Sequence, residues 1–277
     1  MTNASNILIT GLPRSGTTMT CHLLNKLANN VALHEPMNVS KLVKMKPEEI
    51  VAEIQHFFLD QREMVIRCGR ATSKSWKGMV PTNPRADPDN VGKRNSLIDG
   101  MEIDVRNLTE AEFNVYIKHP AFFTAALPIV VQHFSCFATT RNPLSVILSW
   151  RSSGMAVANG RMPAAENFDP ELAAALDAER SQLSRQFVLI DYCFSQYRKY
   201  LCGRTVRYED IIASSGKALS AINTQAALLN EPLNTRNHLG LSSDPEAAII
   251  AKSLIRRDSE CWHFYDREEV KQLIRGQ

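Results

Sequence analysis

The feature that most constrains the fold lies at the start of the chain. Asn6-Ile-Leu-Ile-Thr10, an apolar run of strand length, breaks at once into Gly11-Leu-Pro-Arg-Ser-Gly16 and then into residues at helical spacing. A strand that enters a glycine-rich turn and opens a helix leaves several backbone N–H groups without internal partners. They converge on one spot at the positive end of the helix dipole, where an anion is favoured. The strand must therefore lie deep in the fold, with its loop at an open edge.

The rest of the chain repeats the alternation. From Thr17 to Asn29, Met19, Leu23, Leu24 and Leu27 recur at helical spacing, and Val31-Ala-Leu33 reads as a second strand. Residues 41–66 read as amphipathic helix, with Pro47-Glu-Glu49 as a start signal. Asn114–Lys118 reads as a strand, Phe122–His133 as a helix, Phe134–Thr140 as a strand and Asn142–Arg151 as a helix. A long helix over 170–201 and a last strand, Thr205–Tyr208, complete the set. Strands separated by helices of this length imply βαβ units, so the fold class is α/β, a central parallel sheet with helices on both faces. Ligands of such sheets gather at the carboxyl ends of the strands. Residues 69–107, polar and rich in Gly, Pro, Asn and Lys, read as a long surface excursion, and 153–169, broken by glycine and proline, as a lid or substrate loop.

Composition narrows the class further. At 277 residues and 44% hydrophobic, the chain can bury a full core and is expected to form one domain over 1–277. A formal charge of +3 is too mild and too dispersed for a nucleic-acid partner. Six scattered cysteines with no Cys-x-x-Cys pair read as free thiols. No apolar run approaches the ~18 residues that span a bilayer, and the segment before Asn6 is short and polar, so no membrane partner and a cytoplasmic location are expected.

Gly11-x-x-x-x-Gly16 has the spacing of the nucleotide P-loop, but Thr17 stands where that motif has lysine. The charge on a transferring group must then be met elsewhere, and Arg14, inside the loop, offers a fixed fork of donors. Pro13-Arg14-Ser15-Gly16-Thr17-Thr18 resembles the first loop of the sulfotransferases that use 3′-phosphoadenosine 5′-phosphosulfate (PAPS), which reads Pro-Lys/Arg-Ser-Gly-Thr/Ser-Thr/Ser. A second segment, Thr140-Arg141-Asn142-Pro143 through Ser149-Trp150, resembles the family's 3′-phosphate site: Arg at a strand end and Ser eight residues later on the next helix. Eight residues is about two turns, which returns the hydroxyl to the face on which the helix began. Val206-Arg207-Tyr208-Glu209-Asp210 is similar to the family's Tyr-Glu-Asp segment, which implies Tyr208 near the adenine, while Glu209 and Asp210 read as acids of a first helical turn.

The resemblance implies a P-loop-NTPase-like fold and transfer of a sulfuryl group from PAPS to a hydroxyl of a carbohydrate or small metabolite. The product is adenosine 3′,5′-bisphosphate (PAP), and no metal is required. The implied donor-binding residues are Arg14, Ser15, Gly16, Thr17, Thr18, Met19, Arg141, Ser149 and Tyr208. Arg256-Arg257 stand where the family has a C-terminal basic contact, but Asp258 replaces its glycine, and a solvated helix face explains the pair equally well.

Two residues compete as the base. Glu35, in His34-Glu35-Pro36, lies 21 residues beyond Arg14, where tyrosylprotein and carbohydrate 6-O sulfotransferases carry a similarly spaced glutamate. His119, in Ile117-Lys118-His119-Pro120, resembles the Lys-Thr-His-x-Pro segment of cytosolic small-molecule sulfotransferases with one residue missing. An unperturbed pKa of about 6.5 favours histidine over a glutamate at about 4.3. Spacing favours Glu35, the preferred base here, with Lys118 directed at the sulfuryl group. The acceptor is expected between 69–107 and 153–180, with Trp76, Trp150 and Trp262 as either stacking or core residues. The rival readings are an ATP-dependent kinase of a small metabolite and a non-catalytic nucleotide-binding protein.

Overall fold

A computed structural model of the chain describes residues 5–86, 95–235 and 245–275. In chain order the elements are β1 (Asn6–Gly11), α1 (Thr17–Leu24), β2 (Asn30–His34), α2 (Val39–Leu42), α3 (Pro47–Cys68), β3 (Arg70–Ser75), β4 (Gly100–Asp104) and β5 (Asn114–Lys118). Then come α4 (Pro120–Val130), β6 (Ser135–Thr140), α5 (Pro143–Arg151), α6 (Pro163–Glu166), α7 (Pro170–Ala178) and α8 (Gln182–Tyr200). The last are β7 (Thr205–Arg207), α9 (Tyr208–Ala213), α10 (Pro245–Arg256) and α11 (Arg267–Arg275).

Five strands form one parallel sheet in the order β2-β5-β1-β6-β7. Ile7, Leu8 and Ile9 of the central β1 are all buried, as are Val115, Tyr116 and Ile117 of β5. Consecutive burial means both faces are covered, which is why these strands read as continuous apolar runs. Helices flank the sheet, and buried apolar side chains from Ile7 to Val270 form one cluster.

Register decides what meets at the open edge. His34 pairs with Lys118, Gly11 with Thr139 and Thr140 with Arg207. The residues just past the carboxyl ends of β2, β5, β6 and β7 are thus Glu35, His119, Arg141 and Tyr208. The sheet aligns four positions that the sequence scatters over 174 residues.

Several boundaries differ from the sequence expectation. The helix expected over 170–201 is two helices, because Glu179 is extended (φ −85°, ψ 127°) and the Ser181 side chain accepts the Ser184 N–H as a new N-cap. The helix expected over 41–66 is likewise two, with Lys46 extended before Pro47. Helix α1 stops at Leu24 because Asn25 bonds both backbone groups of Ala32 and ties the chain into β2. The described part of 69–107 is not all excursion: β3 and β4 pair antiparallel, and Ser73 Oγ accepts the His34 N–H, which lays β3 beside β2. Tyr208 opens α9 instead of ending a strand. All six cysteines are free, and four of them are buried. Among the described residues no helix is long and apolar enough to cross a membrane.

Candidate functional site

The first loop is held open from below. Gly11 has φ +150°, and a Cβ there would lie 2.4 Å from the Thr139 carbonyl oxygen, so the loop leaves β1 hard against β6. Gly16 has φ +92°, and a Cβ there would meet the Tyr208 ring at 2.8 Å. Arg14 itself sits at φ +73°, a conformation that a non-glycine residue keeps only when its surroundings enforce it. They do: Trp150 Nε1 donates to the Pro13 carbonyl at 2.6 Å, and Arg141 Nη1 to the Arg14 carbonyl at 3.0 Å. Gly16 caps α1 with no side-chain hydrogen bond, so the first-turn N–H groups of Thr17, Thr18 and Met19 have no intrahelical partner.

Ser15 departs from its expected place. Its hydroxyl donates to the Thr139 carbonyl at 2.8 Å and its N–H to the Leu12 carbonyl at 3.0 Å, and its side chain is fully buried. Its polar groups are spent on holding the loop. The other residues implied for the donor, Arg14, Gly16, Thr17, Thr18, Met19, Arg141, Ser149 and Tyr208, all line one pocket of about 780 Å³. Within it Arg14 Nε donates to Ser149 Oγ at 3.2 Å, and Arg14 Nη1 to Asn83 Oδ1 at 3.2 Å. The Arg141 guanidinium lies 4.6 Å from the Tyr208 ring centre, a stacked arrangement.

Glu35, Lys118 and His119 line the same pocket. Glu35, at φ +47°, is locked by its N–H to the Lys118 carbonyl at 2.9 Å. Its carboxylate accepts from Lys118 Nζ at 2.8 Å and from Lys74 Nζ at 2.6 Å. Lys118 Nζ is also 3.4 Å from Thr18 Oγ1, so one buried ammonium bridges the glutamate to the first loop. Burial alone would raise the Glu35 pKa, but Lys118, His34 and Lys74 together hold it well below the usual carboxylate value.

The two histidines are uncharged. Burial, reinforced by Lys118, pushes His34 down to about 4, with Glu35 opposing. Burial pushes His119 down to about 3, again against Glu35. His119 Nε2 accepts the Met37 N–H at 3.1 Å, so its free lone pair is taken. His34 Nε2 lies 3.6 Å from Glu35 Oε1 and 3.5 Å from Thr18 Oγ1, and its buried Nδ1 has no hydrogen-bond partner among the described residues.

These two groups set a pH dependence. Their folded pKa values lie below the unfolded value of 6.5, so the unfolded chain takes up protons first as pH falls. Stability is expected to fall from about pH 6.5 to about pH 3, the part due to His34 being lost by about pH 4, with proton uptake on unfolding approaching two between the two limits. Urea unfolding across that range measures it, and His119→Gln is expected to reduce the uptake by about one proton.

Lys74, Asn83 and His34 were not singled out by the sequence. Lys74 had a signal: Ala71, Ser73 and Ser75 alternate as the buried face of β3, which turns Lys74 to the other side. Arg257 lies elsewhere, paired with Asp191 at 3.6 Å and over the Phe187 ring, and neither Arg256 nor Arg257 lines the pocket. None of the three tryptophans lines it either: Trp150 is core, and Trp76 and Trp262 carry Lys77 and Arg267 over their rings. Glu209 does stand in the first turn of α9, but it also accepts the Asn142 N–H and the Tyr265 hydroxyl, tying the start of α9 to the start of α5.

No protein-family model and no curated protein matches the chain. Among solved structures it is similar to the crystal structure of sulfotransferase STF1 from Mycobacterium tuberculosis H37Rv, at 15% identity over 98% of this chain and 76% of that chain. The TM-score is 0.34, too little shared backbone for residue roles to be carried across.

Proposed function

We propose that the chain is a sulfotransferase that moves the sulfuryl group of PAPS to a hydroxyl of an acceptor molecule. One observation carries the reading: the anion cradle of the first loop and the Arg141–Ser149 pair face the same pocket, with Arg14 bonded to Ser149 between them. Two anion sites in one cavity suit a nucleotide with phosphate at both its 5′ and 3′ positions. The volume, about 780 Å³, lies in the range of small-molecule sites.

The residues fit such a donor. The first-turn N–H groups of α1 and the hydroxyls of Thr17 and Thr18 would hold the 5′ end, Arg141 and Ser149 the 3′-phosphate, and Tyr208 would lie near the base. Lys118, reaching Thr18, supplies the cation that a P-loop lysine would provide at position 17. During transfer the acceptor oxygen bonds to sulfur while the bridging S–O bond breaks, releasing PAP. Arg14 and Lys118 meet the developing charge, and Glu35 takes the acceptor's proton.

In the resting site Lys118, His34 and Lys74 hold the Glu35 carboxyl low, which weakens it as a base. As Lys118 turns to the donor, the largest of the charges that lower the Glu35 pKa is withdrawn and its basicity rises, while Lys74 and His34 stay beside it. A kinase would need oxygen ligands for magnesium beside the phosphates. Glu35 is the sole carboxylate among the described residues lining the pocket, and two lysines already hold it.

Calorimetry distinguishes the readings. Binding of PAP without metal, together with sulfated product from PAPS, is the expected result. Binding of ATP with magnesium alone would overturn it, and PAP binding without turnover would favour a non-catalytic protein.

A further inference from the structure

The pocket contains a hydrogen-bond donor that the chain itself leaves unused. Among the described residues, two buried side-chain atoms without a hydrogen-bond partner belong to residues that line it, His34 Nδ1 and Asn83 Nδ2. A neutral imidazole can carry its proton on either nitrogen, so His34 Nδ1 can rest as a bare acceptor. The amide has no such choice. Asn83 Oδ1 accepts from Arg14 Nη1 at 3.2 Å and from the Arg85 N–H at 3.3 Å. Both partners only donate, so the atom that faces them is the oxygen, and the NH2 group is turned away from them. A buried donor left unpaired is costly, and a ligand atom that accepts from it removes that cost.

Asn83 is held from both sides. His22 Nδ1 of α1 donates to the Val80 carbonyl at 2.8 Å. Past Asn83, the Leu97 N–H bonds the Pro84 carbonyl and the Ala86 N–H bonds the Asn95 carbonyl, each at 2.9 Å. Residues 80–83 therefore lead from the flank of α1 to the first loop. Arg14 stands between two anchors, Ser149 on Nε and Asn83 on Nη1. Ser149 lies on the side proposed for the 3′-phosphate and α1 on the side proposed for the 5′ end. Asn83 thus shares the 5′ side, where PAPS carries its sulfuryl group.

We infer that Asn83 is a specificity-determining residue for the donor: Oδ1 fixes the Arg14 guanidinium, and Nδ2 donates to a sulfuryl oxygen of PAPS. This rests on the sulfotransferase reading. A sulfuryl oxygen accepts hydrogen bonds and offers none, which suits an NH2 group beside an arginine. Nδ2 is closed to water in the resting site. The terminal torsion of asparagine is broad, so a small turn brings Nδ2 to the donor with Oδ1 still within reach of Arg14. PAP has no sulfuryl group, so the contact separates donor from product and is lost on transfer.

Calorimetry of PAPS and of PAP, with the unaltered protein and two variants, tests this. Asn83→Asp keeps an oxygen for Arg14 and Arg85 but puts a second acceptor in place of the NH2 group, and Asn83→Ala removes both. In each variant the ratio of PAPS to PAP affinity is expected to fall about tenfold or more, as for the loss of a hydrogen bond to a charged group. An unchanged ratio in either variant would overturn the inference. Unchanged in Asn83→Asp, it would make Asn83 only a support for Arg14; unchanged in Asn83→Ala alone, it would reduce the Asn83→Asp effect to charge repulsion. PAP binding by the unaltered protein is read first, and its failure overturns the donor assignment itself. PAP binding by a variant shows that its pocket is folded. If either variant fails to bind PAP, Asn83→Ser, which loses the NH2 group and keeps an oxygen, is read in its place.

Discussion

Glu35→Gln is expected to lower turnover with PAPS ~100- to 10,000-fold, the range lost when a general base is removed. Glutamine keeps the shape and one acceptor oxygen but takes no proton at neutral pH, so the bonds from Lys74 and Lys118 are weakened without a cavity being opened. His119→Asn is expected to cost less than about tenfold, because His119 is held uncharged by burial and its acceptor nitrogen is occupied by the Met37 N–H. The Asn side-chain oxygen can accept the same N–H. Single-turnover rates at saturating PAPS separate the chemistry from binding and release. A loss under about tenfold at Glu35, with a larger one at His119, would reverse the assignment.

Arg141→Ala is expected to weaken PAP more than adenosine 5′-phosphate. Arg141 donates through Nη1 to the Arg14 carbonyl and lies across the Tyr208 ring. Losing the brace on Arg14 loosens the first loop and weakens both ligands alike. Losing the 3′-phosphate contact weakens PAP alone, by about 1.5–3 kcal/mol for a charged hydrogen bond, or ~10- to 150-fold. The difference between the two losses, measured by calorimetry, isolates the 3′ contact. Equal losses would mean that Arg141 only supports the loop and that the second anion site lies elsewhere.

Much of the architecture was legible in the sequence. Consecutive burial of β1 and β5 leaves uninterrupted apolar runs, and a glycine turn between strand and helix marks the loop without any tertiary information. Helix breaks were harder. The split at residues 179–181 rests on one extended residue and a serine cap inside a stretch whose composition is otherwise helical.

The first loop and the Arg141–Ser149 segment were determined by sequence alone, because each is a local device in which spacing along a strand, turn and helix sets the geometry. Their roles were not. Ser15 belongs to the motif, yet its hydroxyl is turned to Thr139 on a strand 124 residues away. His119 has the better intrinsic pKa, yet burial pushes it down to about 3 and its Nε2 accepts the Met37 N–H. Lys74 lies in a stretch that reads as surface, yet β3 runs beside β2 and brings its ammonium onto Glu35. Each outcome depends on desolvation and on charges far apart in the chain, and these act only after the sheet has brought the strand ends together.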